Sequence, residues 1–385
     1  MYFCRTRIEM TETVTKIKTP KSRLKFIDMA RSMAILLMLE GHFVDNCLAD
    51  VYRDESNSIF FIWQYIRGFT APIFLTVTGL IFVYLLIRNQ ESGYLKNIRI
   101  RKGYKRVIEL IFWGYIVQWY AFHVLEAIAF GILAILIIYG LYKTIRVIPL
   151  WMYFFVAGVT IFGLYKYVLT YHGGKTFLEE GLMNGILKLH GSGRDAKYWF
   201  PIIPSIGYTM FGAMLGALLH DLKDHVRNWY FPTIMFAIGA LFYLFAKDIL
   251  HGIDVFFGME SFKFVTSDSI YVKIGMVFME LSVLVFIDNK WGDKIREGNL
   301  FLKVGQNTLT IYVLHMIILY GSFFGLGIND RYYKNLGPWE VTLGAALFVA
   351  FFVILIRYLD QIKSSLSFIL VPIKKFFDRL FRVGR

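Results

Sequence analysis

Cysteine is nearly missing from this 385-residue chain, which has only Cys4 and Cys47. A fold stapled by disulfides is excluded. Charge is scarce too: 18% of the residues are Asp, Glu, Lys or Arg, against about 25% in an ordinary soluble domain. There is no HExxH, no CxxC and no clustered His on one helix, so the sequence offers no metal constellation. GxSxG and phosphate-loop patterns are missing as well, which argues against a hydrolase elbow or a nucleotidase. No repeat of about 20–50 residues is visible, which removes solenoids. Nor is there a matching pair of Gly- or Pro-broken helices in two halves, which weakens an inverted-repeat transporter.

Apolar residues make up 57% of the chain and aromatics 18%, with a mean hydropathy of +0.53. They come in blocks of about 20, the length that crosses a hydrocarbon core of about 30 Å. Soluble, disordered and collagen-like readings fall away, and an all-α polytopic membrane protein of about ten transmembrane helices remains. The predicted spans are Phe26–Leu48, Gly68–Ile87, Val107–Phe122, Val124–Tyr142, Leu150–Tyr165, Ile202–Leu219, Tyr230–Ala246, Ile270–Ile287, Val304–Gly321 and Trp339–Ile356. A tight hairpin at Phe122-His123-Val124 joins the third to the fourth.

The net charge of +14 is best read from its distribution over the loops, and no nucleic-acid partner is expected. One set of alternate connections holds 29 Lys and Arg, the other 11. Positive charge stays inside, so both termini are expected in the cytoplasm. That topology puts Cys4 and Cys47 on opposite faces, beyond the reach of a bridge. It divides the chain into a basic tail (1–25), a transmembrane domain (26–357) and a second basic tail (358–385). The first tail lacks the apolar stretch and cleavage site of a removable signal peptide, and Met10 is an alternative start. Ser58–Arg67 is expected to lie in the outer interface. Phe368–Arg382 reads as a basic amphipathic helix on anionic membrane lipid, with disorder as the alternative.

An ionisable side chain inside the bilayer costs about 2.5–3.5 kcal/mol even on the lenient scale, so each one calls for a reason. The first span carries Asp28, Arg31, Glu40 and His42. Asp28 and Arg31, at i,i+3, read either as an ion pair at a solvated helix start or as a cytoplasmic anchor for an anionic ligand. His42 lies about 21 Å further along. In the ninth span His315 reaches a similar depth, about 18 Å from Lys303. Two imidazoles at one level make a base or proton relay plausible, though spacing does not say whether their helices are neighbours. Arg67 either snorkels to lipid phosphates or points inward toward His42. Glu280 sits mid-span, protonated or paired with Lys273. Gln118, His123, Glu126 and Asn307 widen the polar pool.

Four segments resemble a known family. The first is Arg23-Leu24-Lys25-Phe26-Ile27-Asp28-Met29-Ala30-Arg31-Ser32, continuing to Met38 and His42. Next come Arg67-Gly68-Phe69-Thr70-Ala71-Pro72-Ile73-Phe74 and Trp199-Phe200-Pro201-Ile202-Ile203-Pro204-Ser205-Ile206-Gly207-Tyr208. The last is Val304-Gly305-Gln306-Asn307-Thr308-Leu309-Thr310-Ile311-Tyr312-Val313-Leu314-His315. Together and in order they are similar to membrane acyltransferases related to heparan-α-glucosaminide N-acetyltransferase. Ser32 stands where that family usually has Gly. The loop Phe43–Ile66 holds no His, so His42 is the only candidate for the family's catalytic His in that region.

The resemblance implies acetyl-CoA or another acyl-CoA as co-substrate, with no bound cofactor and no metal. It implies a sugar or glycan acceptor on the far side of the membrane. His42, His315 and Arg67 are then the expected catalytic residues. Asp28, Arg31, Asn307 and Tyr312 are expected on the donor, with Arg67, Asn307 or Tyr312 serving the oxyanion. The loop Lys166–Trp199 reads as an acceptor-facing lid or as an ordinary connection. The expected location is a bacterial plasma membrane. The rival is a proton-coupled transporter or a lipid or glycan flippase built on the same groups, and a third reading is O-acylation of surface polysaccharide.

Overall fold

A computed structural model describes residues 24–88, 93–117, 124–170, 202–256, 268–296, 298–321 and 326–365. Within them the chain is helical throughout, and its one β contact is an isolated bridge between Leu48 and Leu336. The helices are α1 (Lys25–Cys47), α2 (Ser58–Arg67), α3 (Thr70–Arg88), α4 (Ile98–Val117), α5 (Val124–Thr144) and α6 (Leu150–Thr170). They continue as α7 (Ile202–Asp221), α8 (Tyr230–Phe256), α9 (Asp268–Trp291), α10 (Leu300–Gln306), α11 (Thr308–Tyr320), α12 (Ile328–Tyr332) and α13 (Pro338–Ser365).

Each predicted apolar segment is mostly helical over its described residues, because an apolar backbone segment satisfies its own N–H and C=O groups only by closing local hydrogen bonds. Among the described residues, five stretches are long and apolar enough to cross a membrane: Ser58–Arg88, Val124–Thr144, Tyr230–Phe256, Ser269–Lys294 and Pro338–Ile362. Counting α10 with α11 makes six. Charged side chains interrupt α1 and α4 too often for either to qualify. The segment Ser58–Arg67 is a helix capped by the Asn57 side chain, with no buried residue, and only Gly68 and Phe69 separate it from α3. Residues 122 and 123 of the predicted hairpin, most of the 166–199 loop, Cys4 and the 368–382 tail lie outside the described residues.

One predicted span needs correcting. Val304–Gly321 is two helices, α10 and α11, bent by 80° at Asn307. Asn307 sits at φ −112°, ψ 25°, off the helical basin, and its side chain donates to Lys303 O at 2.9 Å. Gly321, at φ 74°, ends α11 in the left-handed conformation that glycine adopts without penalty. A second kink, at Phe245 (φ −122°), falls where the Tyr230–Ala246 span was expected to end, and α8 continues beyond it to Phe256.

Close backbone approach holds the bundle together. A Cβ on Gly79 would strike the Thr209 carbonyl of α7, and one on Gly212 would strike the Thr76 carbonyl of α3. Small residues at such crossings gain packing contacts that larger side chains would prevent. A large apolar core joins α3 to α9, while a second, with Phe43, Phe348 and Phe352, packs α1 against α10, α11 and α13. The far end of α1 is tied down by the 334–336 segment, where Lys334 N donates to Asn46 O and Leu336 N to Cys47 O at 2.8 and 2.9 Å. Cys47 is buried.

Candidate active site

The two histidines, 273 positions apart in sequence, are in direct contact: His42 Nδ1 lies 3.0 Å from His315 Nε2. Their ring centroids are 5.2 Å apart with the planes tilted by 34°. His315 is fully buried in α11, whereas His42 is only partly covered. The bend at Asn307 turns α11 so that its His meets α1.

The surrounding hydrogen bonds assign the protons. His315 Nδ1 faces the Ile311 carbonyl at 3.2 Å, and a carbonyl only accepts. Neutral His315 therefore carries its proton on Nδ1 and presents the Nε2 lone pair to His42. His42 Nδ1–H donates to it, which leaves the lone pair of His42 on Nε2. That is the tautomer a general base needs, with its orientation fixed from behind by a second imidazole.

Neighbouring side chains fix this pair further. The Tyr312 ring, 2% exposed, meets His315 edge-on at 5.0 Å. Asn46 Nδ2 donates at 2.7 Å to both His42 O and Tyr320 OH. Arg67 forms an ion pair with Asp45, rests against Gly41 and lies 5.7 Å over the Trp63 ring. Trp63 Nε1 in turn donates to Glu40 at 2.8 Å. Two carboxylates flanking His42 on α1 are thus each engaged by α2, and Arg67 is drawn onto the turn that carries His42.

Asp28 and Arg31 lie at the other end of α1. Asp28 is 3% exposed, which removes the solvated helix start as its setting. Gln306 Nε2 donates to its carboxylate at 3.3 Å, and Arg31 donates to Thr308 Oγ1 at 2.8 Å. Both predicted donor-side residues therefore meet the α10–α11 break. Ser32 binds this junction together: its hydroxyl accepts from Gly305 N at 2.9 Å and faces the carbonyls of Asp28 and Phe301. A Cβ on Gly305 would fall on Asp28 O. Asn307 serves as a helix-break residue whose amide is bonded to Lys303 O.

The structure thus gathers His42, His315 and Tyr312 at one level, with Arg67 beside them, and Asp28, Arg31 and Asn307 at another. Sequence reasoning missed Asp45, Asn46, Tyr320 and Thr308. Asp45 and Asn46 could have been found at i+3 and i+4 from His42, on the same helical face. Among the described residues, no group of three or more His, Cys, Asp or Glu side chains could hold a metal ion.

No curated protein matches the chain. A family model does, that of the heparan-alpha-glucosaminide N-acetyltransferase catalytic domain, over residues 23–246. The matched part holds Asp28, Arg31, His42 and Arg67, while Asn307, Tyr312 and His315 lie beyond it. A match over more than half of the sequence, in a helical bundle with apolar helices long enough to cross a membrane, places this protein in the heparan-alpha-glucosaminide N-acetyltransferase family of membrane acyltransferases.

Proposed function

We propose that the protein transfers an acyl group, an acetyl group in the first instance, from acyl-CoA to a sugar-like hydroxyl or amine across the membrane. The observation that carries this reading is the 3.0 Å His42–His315 hydrogen bond; the tautomer assigned above puts the His42 lone pair on Nε2. In the proposed reaction Nε2 takes the acceptor's proton as the acceptor oxygen or nitrogen attacks the thioester carbonyl. The C–S bond then breaks and the departing thiolate receives that proton, so His42 ends as it began. Transient positive charge on His42 is shared with His315 through the hydrogen bond. Tyr312 holds the His315 ring, and Arg67 orients the acceptor beside His42.

On the donor side, Arg31 is the guanidinium suited to CoA phosphate, and Asp28 with Gln306 fixes the helix break next to it. All ten predicted spans are taken to cross the membrane, α10 and α11 together as one, with both termini in the cytoplasm, which leaves the donor end of α1 inside. A bacterial plasma membrane and a glycan acceptor complete the proposal.

The test is direct. Purified protein reconstituted in liposomes is given labelled acetyl-CoA with an amino sugar on the opposite side. Acetylated sugar and free CoA should appear in equal amounts, and His42→Ala should lower both by about 10²- to 10⁴-fold. Undiminished turnover by His42→Ala, or no CoA release with any sugar, rejects the assignment.

A further inference from the structure

A cavity of about 580 Å³ lies at the end of the bundle where α1 begins, between α6, α7, α8 and α9. Phe26, Trp151 and Leu215 line it, and it opens beside Ile234 and Ile238, which are 55% and 42% exposed. Its volume is in the range of about 300–1,000 Å³ usual for small-ligand sites. It is separate from the imidazole pair: Phe26 precedes His42 by about 24 Å of helix, and no residue of α10 or α11 lines the cavity.

The chemistry of the wall selects the occupant. Apart from its rim the lining is aliphatic, aromatic or Met side chains, and an apolar cavity of this kind excludes water and accepts hydrocarbon. A pantetheine arm would bring amides into a space with no partners for them. The rim is different. His225 and Tyr230 line it; the Tyr230 hydroxyl pairs with His225 Nδ1 and accepts from Asn228 Nδ2 at 2.8 Å. Lys223 and Arg227 flank this group, and Asn289, next to Lys290, donates to Val226 O at 2.9 Å. Asp221 and Asp224 in the same stretch offset part of that charge. A mixed rim suits the single phosphate diester of a phospholipid better than the several phosphates of CoA.

The geometry points to a lipid site in which one acyl chain of a phospholipid fills the cavity while its phosphate sits at the His225–Tyr230 rim. The lateral mouth at Ile234 and Ile238 admits the chain from the surrounding leaflet.

Protein purified in a detergent without phosphate is extracted, and its phospholipid is quantified by mass spectrometry. Wild type should retain about one phospholipid per chain. Leu215→Trp, which fills the cavity, should retain at least tenfold less. His225→Ala, which leaves the cavity intact, should exchange its lipid faster against added phosphatidylglycerol. His42→Ala should retain as much lipid as wild type, so this site and the acyl-transfer reading fail separately. Wild type that carries no phospholipid, or only detergent or free fatty acid, overturns the proposal. So does equal retention by wild type and a folded Leu215→Trp or Ile238→Trp protein.

Discussion

Replacing His315 by Ala removes the acceptor that faces His42 Nδ1–H at 3.0 Å. The acid–base atom, His42 Nε2, is untouched, but the donor behind it is orphaned in a partly buried site, at about 1–3 kcal/mol. At roughly 1.4 kcal/mol per tenfold, that is a fall in kcat/KM of about 5- to 150-fold. Removing the base itself, with His42→Ala, should cost about 10²- to 10⁴-fold. His315 acts only through His42, so the double variant should be no slower than His42→Ala alone. His315→Gln, whose amide oxygen can accept from His42, should recover part of the loss. The assay is acetyl transfer from labelled acetyl-CoA at saturating and limiting acceptor, on variants matched for thermal stability. Penalties that add in the double variant would mean that each imidazole meets substrate independently, and the relay would be refuted.

Two further outcomes follow from the packing. Asp45→Asn breaks a partly exposed ion pair with Arg67, so stability should change by about 1 kcal/mol while KM for the acceptor rises; a large drop in unfolding temperature with an unchanged KM would make the pair structural. Gly212→Val drives a side chain into the Thr76 carbonyl across the α3–α7 crossing, and thermal unfolding in detergent should show about 1–3 kcal/mol of destabilisation.

Much of the fold can be read from the sequence because lipid solvent leaves few options: apolar runs such as Val124–Tyr142 and Leu150–Tyr165 become helices close to their predicted limits. The break at Asn307 is harder to see. Val304 to Gly321 is apolar enough to read as one helix, and its polar pair Asn307-Thr308 looks like two tolerated interior residues when in fact it interrupts the helix. At the site, the depth expected for His315 assumed an unbroken helix from Lys303, and the 80° bend at Asn307 removes that premise; the two rings meet because α11 turns toward α1. Adjacency is not fixed by depth, and neither is the pairing of Arg67 with Asp45, because both depend on which helices touch. Ser32 shows the same limit: the sequence marks a small residue, while its bond to Gly305 N appears only once α10 is packed against α1.

The 273-residue separation of the two imidazoles also has a bearing on biosynthesis. At roughly 5–20 residues per second, His42 leaves the ribosome about a quarter of a minute to a minute before its partner exists. During that interval the His315 contact that would select its tautomer is missing, so under the proposed reaction the emerging first third of the protein does not yet hold an oriented base. The imidazole pair forms only when the last third has docked, so a chain truncated before His315 lacks the contact on which the proposed reaction rests.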